Sequence, residues 1–328
     1  MNAEQDFASQ TVHGRWMAAD HEPGLVSIVV PTYNRSMLLP YALESTLRQT
    51  YRPIEVLVID DGSTDETTAL LDRWKREHED AAFRVRLLSQ SHGGAPAARN
   101  LGLIESRGEF IQFLDSDDIL CPEKTEASVN ALKDTPAVDY VFSRRVNVEH
   151  ARMEEFARAR MSNRIVTSPP SPVGAGKMHR MPPNAVLGFY RRTLCRRLGP
   201  WNESLVRHQD WEYTTGVAST ITQALSIEHP LYAIRLHQLG RIRDLRSRPI
   251  DALDARLAAA LAAEERGARS GGGLTNANAL RLRLRNRYWQ ILRQSVVALS
   301  ARHLVSAVRG LKANIFASGR RVPAGSGL

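Results

Sequence analysis

The stretch Gly108-Glu-Phe-Ile-Gln-Phe-Leu-Asp-Ser-Asp-Asp-Ile-Leu120 decides how this chain is read. Phe110 to Leu114 is a short apolar run of the kind that fills a buried central strand. It ends abruptly in three carboxylates within four positions, Asp115, Asp117 and Asp118. Carboxylates that close repel, and each raises its neighbour's pKa unless a cation sits among them. Two readings fit. In one, Asp117 or Asp118 caps a helix beginning near Pro122. In the other, the run offers hard oxygen ligands to Mg²⁺ or Mn²⁺, which completes its shell with water and phosphate.

Moving outward, Leu25 to Pro31 predicts a first buried strand, closed by Pro31. A loop, Thr32-Tyr33-Asn34-Arg35, then leads to a helix capped by Ser36 and running to about Gln49. Ile54 to Ile59 predicts a second strand, ending at Asp60-Asp61-Gly62-Ser63 and followed by a helix from Thr64 to about His78. Arg84 to Ser89 predicts a third strand, and His92-Gly93-Gly94 opens a helix over Ala95 to Ser106. Strands alternating with helices predict an α/β fold, with a mainly parallel central sheet and helices on both faces. In such sheets ligands sit beyond the carboxyl ends of the strands, where all four polar loops fall.

Each loop also has a plainer reading. Asp60 to Ser63 has the composition of an ordinary strand-to-helix turn. Gly93 and Gly94 serve either a flexible connection or the approach of phosphate to a helix N-terminus. No G-x-G-x-x-G follows the first strand and no G-x-x-x-x-G-K-[ST] occurs, which argues against a dinucleotide fold and a P-loop.

Taken together, Ser27 to Arg35, Val58 to Asp65, Ala97-Ala-Arg-Asn-Leu-Gly102 and Phe113 to Asp118 resemble the motifs of family 2 glycosyltransferases, in family order and spacing. The resemblance implies a GT-A fold, a nucleotide-diphosphate sugar donor (UDP foremost), a divalent metal and inversion at the anomeric carbon. It places Pro31, Thr32 and Tyr33 at the nucleoside and has Asp61, with Asp60 beside it, bond the base. Arg99, Asp115 and Ser116 join the donor site, and Asp117 holds the metal against the diphosphate.

The second half is less regular. Ala137 to Phe142 predicts a strand, Ser168 to Gly176 a loop that orders over substrate, and Asn184 to Arg192 a helix or turn. His208-Gln-Asp-Trp-Glu212 is similar to the family's acidic dipeptide before a helix, which makes Asp210 the general base. Gln209 departs from the pattern, standing where an acid is common, and a plain N-cap stays open for Asp210. Glu212 and Glu203 are the next candidates. Tyr232 to His237 resembles the late strand whose histidine completes the metal shell in some members, so His237 is a candidate ligand. Arg241 and Arg243 could neutralise the leaving diphosphate.

Of the net +9, residues 275–328 carry ten Lys or Arg and no acid, leaving −1 for the rest. Ile250 to Ala268 predicts a helix and Ser270 to Gly273 a linker. Beyond it Val297, Ala301, Leu304, Val308, Leu311 and Ile315 form one apolar stripe, to be buried on the catalytic domain or on an anionic membrane. No nucleic-acid module is present. Two cysteines make no disulfide framework, and no run of 18 apolar residues suggests a membrane span. Residues 1–24 lack the apolar run of a secretory signal. The expected organisation is an N-terminal extension (1–24), a GT-A domain (25–248) with donor half 25–120 and acceptor half 121–248, and a helical basic extension (249–328).

The expected activity is metal-dependent, inverting sugar transfer to a hydroxyl of a glycan or lipid-linked acceptor in surface-polysaccharide assembly. Its setting would be the cytoplasm or the inner membrane face. A non-catalytic sugar-nucleotide-binding or scaffold protein, and a nucleotidyltransferase, are the alternatives.

Overall fold

The computed structural model describes residues 16–162, 169–236, 249–269, 276–297 and 300–316. Its sheet begins with β1 (Glu22–Thr32), β2 (Ile54–Asp60), β3 (Phe83–Ser89) and β4 (Gly108–Phe113). They lie in the order β3-β2-β1-β4, all parallel. β2 is buried along its whole length, as an unbroken Ile/Val/Leu run between two helical layers requires. β3, at the edge, is buried only at alternate positions in its first half.

The crossovers are α1 (Leu39–Leu47), α2 (Thr67–His78) and α3 (Ala95–Glu105). α1 starts later than expected because Ser36 is otherwise engaged: its hydroxyl donates to Asp65 Oδ2 at 2.8 Å. α3 presses closely on the sheet through Gly102, where a Cβ would come within 2.4 Å of Val29 Cγ1. The chain runs outward from β1 to β3, then returns to β4 on the other side of β1. That reversal opens a crevice beyond the carboxyl ends of β1 and β4.

The remaining strands are β5 (Ile119–Leu120), β6 (Tyr140–Glu149), β7 (Ser171–Gly174), β8 (Gly188–Arg191) and β9 (Gln223–Leu236). They extend the sheet as β4-β8-β6-β9-β5, with β7 also on β9. Pairing here is antiparallel except between β6 and β9. The helix or turn expected over Asn184 to Arg192 is corrected: after one 3₁₀ turn, Gly188–Arg191 enters the sheet against β4. A four-residue strand is too short for period-2 alternation to announce it, and Phe189 stacks on Phe110 at 5.6 Å.

The helices of the second half are α4 (Lys124–Asp134), α5 (Met153–Ser162), α6 (Arg192–Leu198), α7 (Gln209–Thr220), α8 (Pro249–Arg269), α9 (Ala277–Val297) and α10 (Ala301–Phe316). α8, α9 and α10 share an apolar cluster that includes Leu253, Leu284, Tyr288, Ile291 and Leu311, with Trp211 of α7 packed against it. Arg266 of α8 forms a bidentate pair with Glu212 of α7, at 2.5 and 3.0 Å. Arg283 of α9 donates to Thr214 and Thr215, both at 2.9 Å. α8 and α9 are therefore packed on α7, and α10 packs on α9.

On α10 the buried face is His303, Ala307, Gly310 and Leu311, while Leu304, Val305 and Val308 are exposed. The stripe expected from the apolar residues is thus rotated. Its true face includes a histidine held by Ser300 and Asp254, which no apolar count would include. The side chains of Val297 and Ile315 and the linker at Ser270 to Gly273 lie outside the description. No described helix is long and apolar enough to cross a membrane.

Candidate active site

The donor-side loops meet at the β1–β4 crevice. Pro31 and Thr32 are buried at the end of β1, and the Thr32 hydroxyl has no hydrogen-bond partner. Tyr33 projects outward, 41% exposed, with its ring 4.2 Å from that of His92. Asp61 is a clamp rather than a free acceptor. Its carboxylate takes the N–H groups of Gly93 and Gly94 at 2.8 Å and Gln90 Nε2 at 2.7 Å. Gly94 can open α3 there because its φ is +86°, a conformation most residues avoid. Asp60 accepts from the Ser63 N–H and the Thr68 hydroxyl, both at 3.0 Å, and so braces the turn from β2 into α2.

Asp115, Ser116, Asp117 and Asp118 follow β4 directly. They precede β5 rather than a helix, and α4 begins only at Lys124 with Glu123 at its cap, which rules out the capping alternative. One ligand oxygen from each of Asp115, Asp117 and Asp118 can be chosen so that all lie within 4.8 Å of one another. Asp118 is 3% exposed and accepts the Arg235 N–H at 2.9 Å. Burial holds its carboxyl well above the usual range, and repulsion from Asp117 and Asp115 adds to this. Burial also pushes Asp115 up to about 6; Arg99 opposes the shift, while Asp210 and Asp117 reinforce it. Crowded carboxylates with only oxygen donors fit a hard divalent cation such as Mg²⁺ or Mn²⁺.

Arg99 joins this cluster to the other half. Its guanidinium is 3% exposed, lies 4.6 Å over the Trp201 ring, and donates to Asp115 Oδ1 at 2.7 Å and Gln209 Oε1 at 2.8 Å. Gln209, the departure from the acidic pattern, is therefore the second acceptor for a buried arginine whose charge Asp115 already balances. Trp201 stacks on Tyr213 at 4.2 Å, and Phe113 meets both rings edge-on. This aromatic wedge fixes β4 against α7.

Asp210 lies in the first turn of α7 and is not its N-cap; His208 is, with φ +62°. Asp210 Oδ1 accepts the Ala185 N–H at 3.2 Å. The charge of Asp210 is among those that raise the Asp115 carboxyl, and the residue before it, Gln209, is tied to Asp115 through Arg99. Glu212 is corrected as a fallback base, because it is 1% exposed and locked to Arg266. Glu203 is exposed and accepts from Asn100 Nδ2 at 2.8 Å. Asp210 also lines a cavity of about 600 Å³ with His179, His208, Trp211, Arg283 and Arg287. His237, Arg241 and Arg243 lie outside the described residues.

Two participants were absent from the sequence reading. Tyr232 of β9 accepts the Asp115 N–H at 3.2 Å, and Arg235 donates from Nε to the Asp117 carbonyl at 2.9 Å. Arg235 is 1% exposed and lies 4.6 Å over the Tyr41 ring. A cationic residue inside an apolar strand was the available signal.

This arrangement of a mixed α/β sheet, a crevice beyond its strand ends and an acidic cluster is that of the GT-A fold. The model for glycosyl transferase family 2 matches residues 27–185, and that segment belongs to the family. Glycosyltransferase GlyG of Streptococcus pneumoniae is 42% identical over 97 residues, which is 29% of this chain and 31% of GlyG. An uncharacterized glycosyltransferase of Rickettsia felis is 37% identical over 118 residues, 36% of this chain and 18% of its own. The chain thus spans less than a third of either relative. Among solved structures, S. aureus TarS 1-349 in complex with UDP-GlcNAc superposes with a TM-score of 0.64 at 20% identity, covering 89% of this chain and 81% of that one.

Proposed function

We propose that the protein is a metal-dependent, inverting glycosyltransferase that moves a sugar from a nucleotide-diphosphate donor, foremost a UDP-sugar, to an acceptor hydroxyl. The observation that carries this reading is the bridge through Arg99 from the Asp115–Asp118 cluster to the first turn of α7. It sets a donor end and a base candidate on the two sides of one crevice. TarS, whose fold is similar, was solved with UDP-GlcNAc, and a mannosyltransferase of Pyrobaculum calidifontis was solved with GDP-Man and Mn²⁺. The latter has a TM-score of 0.53 and 20% identity, and the match covers 98% of this chain and 84% of that one.

In this mechanism Asp117 would hold the cation, with Asp115 and Asp118 as the neighbouring carboxylates of the cluster. A bound divalent ion would supply Lewis-acid stabilisation of the departing diphosphate. Thr32, with its unpartnered buried hydroxyl, and Tyr33 line the nucleoside site, and Asp61 shapes its floor by holding the Gln90–Gly94 loop. Arg99 keeps Asp115 oriented. Asp210 takes the proton of the acceptor hydroxyl as the oxygen bonds to the anomeric carbon. The bond to phosphate breaks on the opposite face, and the diphosphate leaves with its electron pair. One in-line displacement inverts the centre and needs no enzyme nucleophile.

The same proposal places the protein at surface-polysaccharide assembly in the cytoplasm, in contact with the membrane through the exposed Leu304, Val305 and Val308. A donor panel assayed for released nucleoside diphosphate with Mn²⁺ tests the activity. Release from one or two donors, dependent on acceptor and metal, is expected. Donor binding without release would instead support a non-catalytic sugar-nucleotide binder.

A further inference from the structure

The cavity beside Asp210 is unusually cationic for a place where neutral hydroxyls would suffice. Arg283 and Arg287 of α9 are 4% and 7% exposed, so both charges are taken largely out of water. Neither forms an ion pair with a described carboxylate. They differ in one respect. Arg283 is fully occupied, donating to Thr214, Thr215 and the Met181 carbonyl. The guanidinium carbon of Arg287 lies over Trp211, 4.0 Å from the ring centroid, and its buried Nε has no hydrogen-bond partner. Among the residues lining the same cavity, Nδ1 of His179 is also buried without a partner.

A buried cation without a counter-charge costs stability, and proteins keep one mainly where a ligand supplies the missing anion. Burial and the neighbouring Arg256 and Arg283 push the Arg287 guanidinium down to about 9. Burial and the charges of Arg287, Arg256 and Arg207 push His208 down to about 4. Both shifts report one uncompensated positive field, which the positive end of α7 reinforces. Contact with Trp211 holds the Arg287 guanidinium in place, and its unpartnered Nε is open to the paired hydrogen bonds that suit phosphate or carboxylate. Asn184, Asn286 and Gln290 also line the cavity and are suited to sugar hydroxyls.

We propose that the acceptor is anionic: a phosphate or carboxylate on the acceptor chain docks against Arg287, with Arg283, His179 and His208 around it, and so presents a neighbouring hydroxyl to Asp210. This inference rests on the glycosyltransferase reading and names the substrate class of its acceptor site.

The test uses the full chain with the donor found in the panel and three acceptor oligomers of equal length. One is a phosphodiester-linked polyol, one an oligogalacturonate and one a neutral malto-oligosaccharide. An anionic oligomer should give a kcat/KM about tenfold or more above the neutral one, and whichever anion wins identifies the source of the charge. Arg287→Gln should raise KM for that acceptor about tenfold to a hundredfold with little change in kcat, and Arg287→Lys should recover part of the loss. Calorimetric binding of the nucleoside diphosphate with Mn²⁺ should be unchanged in both variants, which reports that they fold. Equal use of the neutral oligomer, or an Arg287→Gln variant with parental KM, overturns the anionic acceptor while leaving the transferase reading intact. A parent that binds no nucleoside diphosphate overturns that reading, and this inference falls with it.

Discussion

In the donor half, the side chains that meet in the crevice sit within a few positions of a strand end: Thr32 at the end of β1, Asp61 after β2, Asp115 to Asp118 after β4. In the acceptor half, the cavity beside Asp210 is assembled from α7, a 3₁₀ turn holding His179, and α9, more than seventy residues further along the chain. A parallel sheet delivers its loops to one edge whatever their sequence, so the first site is encoded locally. The second depends on long-range packing and on buried charge.

The comparison breaks first at Asp210. Asp210→Asn should lower turnover by roughly 10²–10⁴-fold, the range for losing a general base, with donor affinity nearly unchanged. Steady-state rates beside nucleotide titration check this. Near-parental turnover under conditions where chemistry limits the rate would move the base elsewhere, with Glu203 next, since Glu212 is locked to Arg266.

A second expectation concerns how the acceptor half is held. Arg266→Met would strip the buried Glu212 of its partner and should cost about 3–5 kcal/mol of stability. Arg266 also donates to the Leu198 and Pro200 carbonyls, at 2.5 and 2.8 Å, so the loop before Trp201 should loosen as well. A denaturant melt reads the loss. A change below about 1 kcal/mol would mean that α8 contributes little to seating α7.

These regions were not equally legible in the sequence. Every strand and helix from Leu25 to Glu105 was foreseen to within a few residues, because unbroken Val/Ile/Leu runs and Gly/Asp turns leave few alternatives. β8 was missed because Gly188–Arg191 takes its strand character from contact with Phe110 rather than from any pattern of its own. The four motifs located the acidic cluster, but not that Asp61 also clamps the Gln90–Gly94 loop or that Asp60 also braces the turn to α2. Arg235, Arg283 and Arg287 went unseen as site residues, because burial of a cation is a tertiary fact. The stripe on α10 was misphased for the same reason, with His303 inside and Leu304 outside.

A smaller effect lies at the seam between the halves. Lys124 is fully buried, donating to the Leu187 carbonyl at 2.9 Å and the Ser143 hydroxyl at 3.2 Å. Burial pushes its ammonium from 10.5 down to about 7. Between those values the unfolded chain binds a proton that the folded chain does not, so this contribution to stability rises with pH above about 7 and is flat below. Relative to Lys124→Met, the parent should gain about 1 kcal/mol per pH unit between about 7 and 9. Paired melts across that range check it, and a pH-independent gap would contradict it.

The smallest effect is expected at the outer face of α10. If Leu304, Val305 and Val308 meet an anionic bilayer, the parent should co-sediment weakly with anionic vesicles, and less at high salt. A parent that never sediments excludes membrane contact by this face.

The central claim is that Asp115 to Asp118 bind a donor through a divalent metal, and calorimetry tests it directly. Nucleoside diphosphate is titrated into the parent and into Asp117→Asn, each with and without Mn²⁺. The account predicts that Mn²⁺ strengthens binding in the parent and that the variant, folded but with a neutral amide as a poorer ligand for a hard cation, loses that gain. Equal metal-dependent binding by both proteins would contradict it.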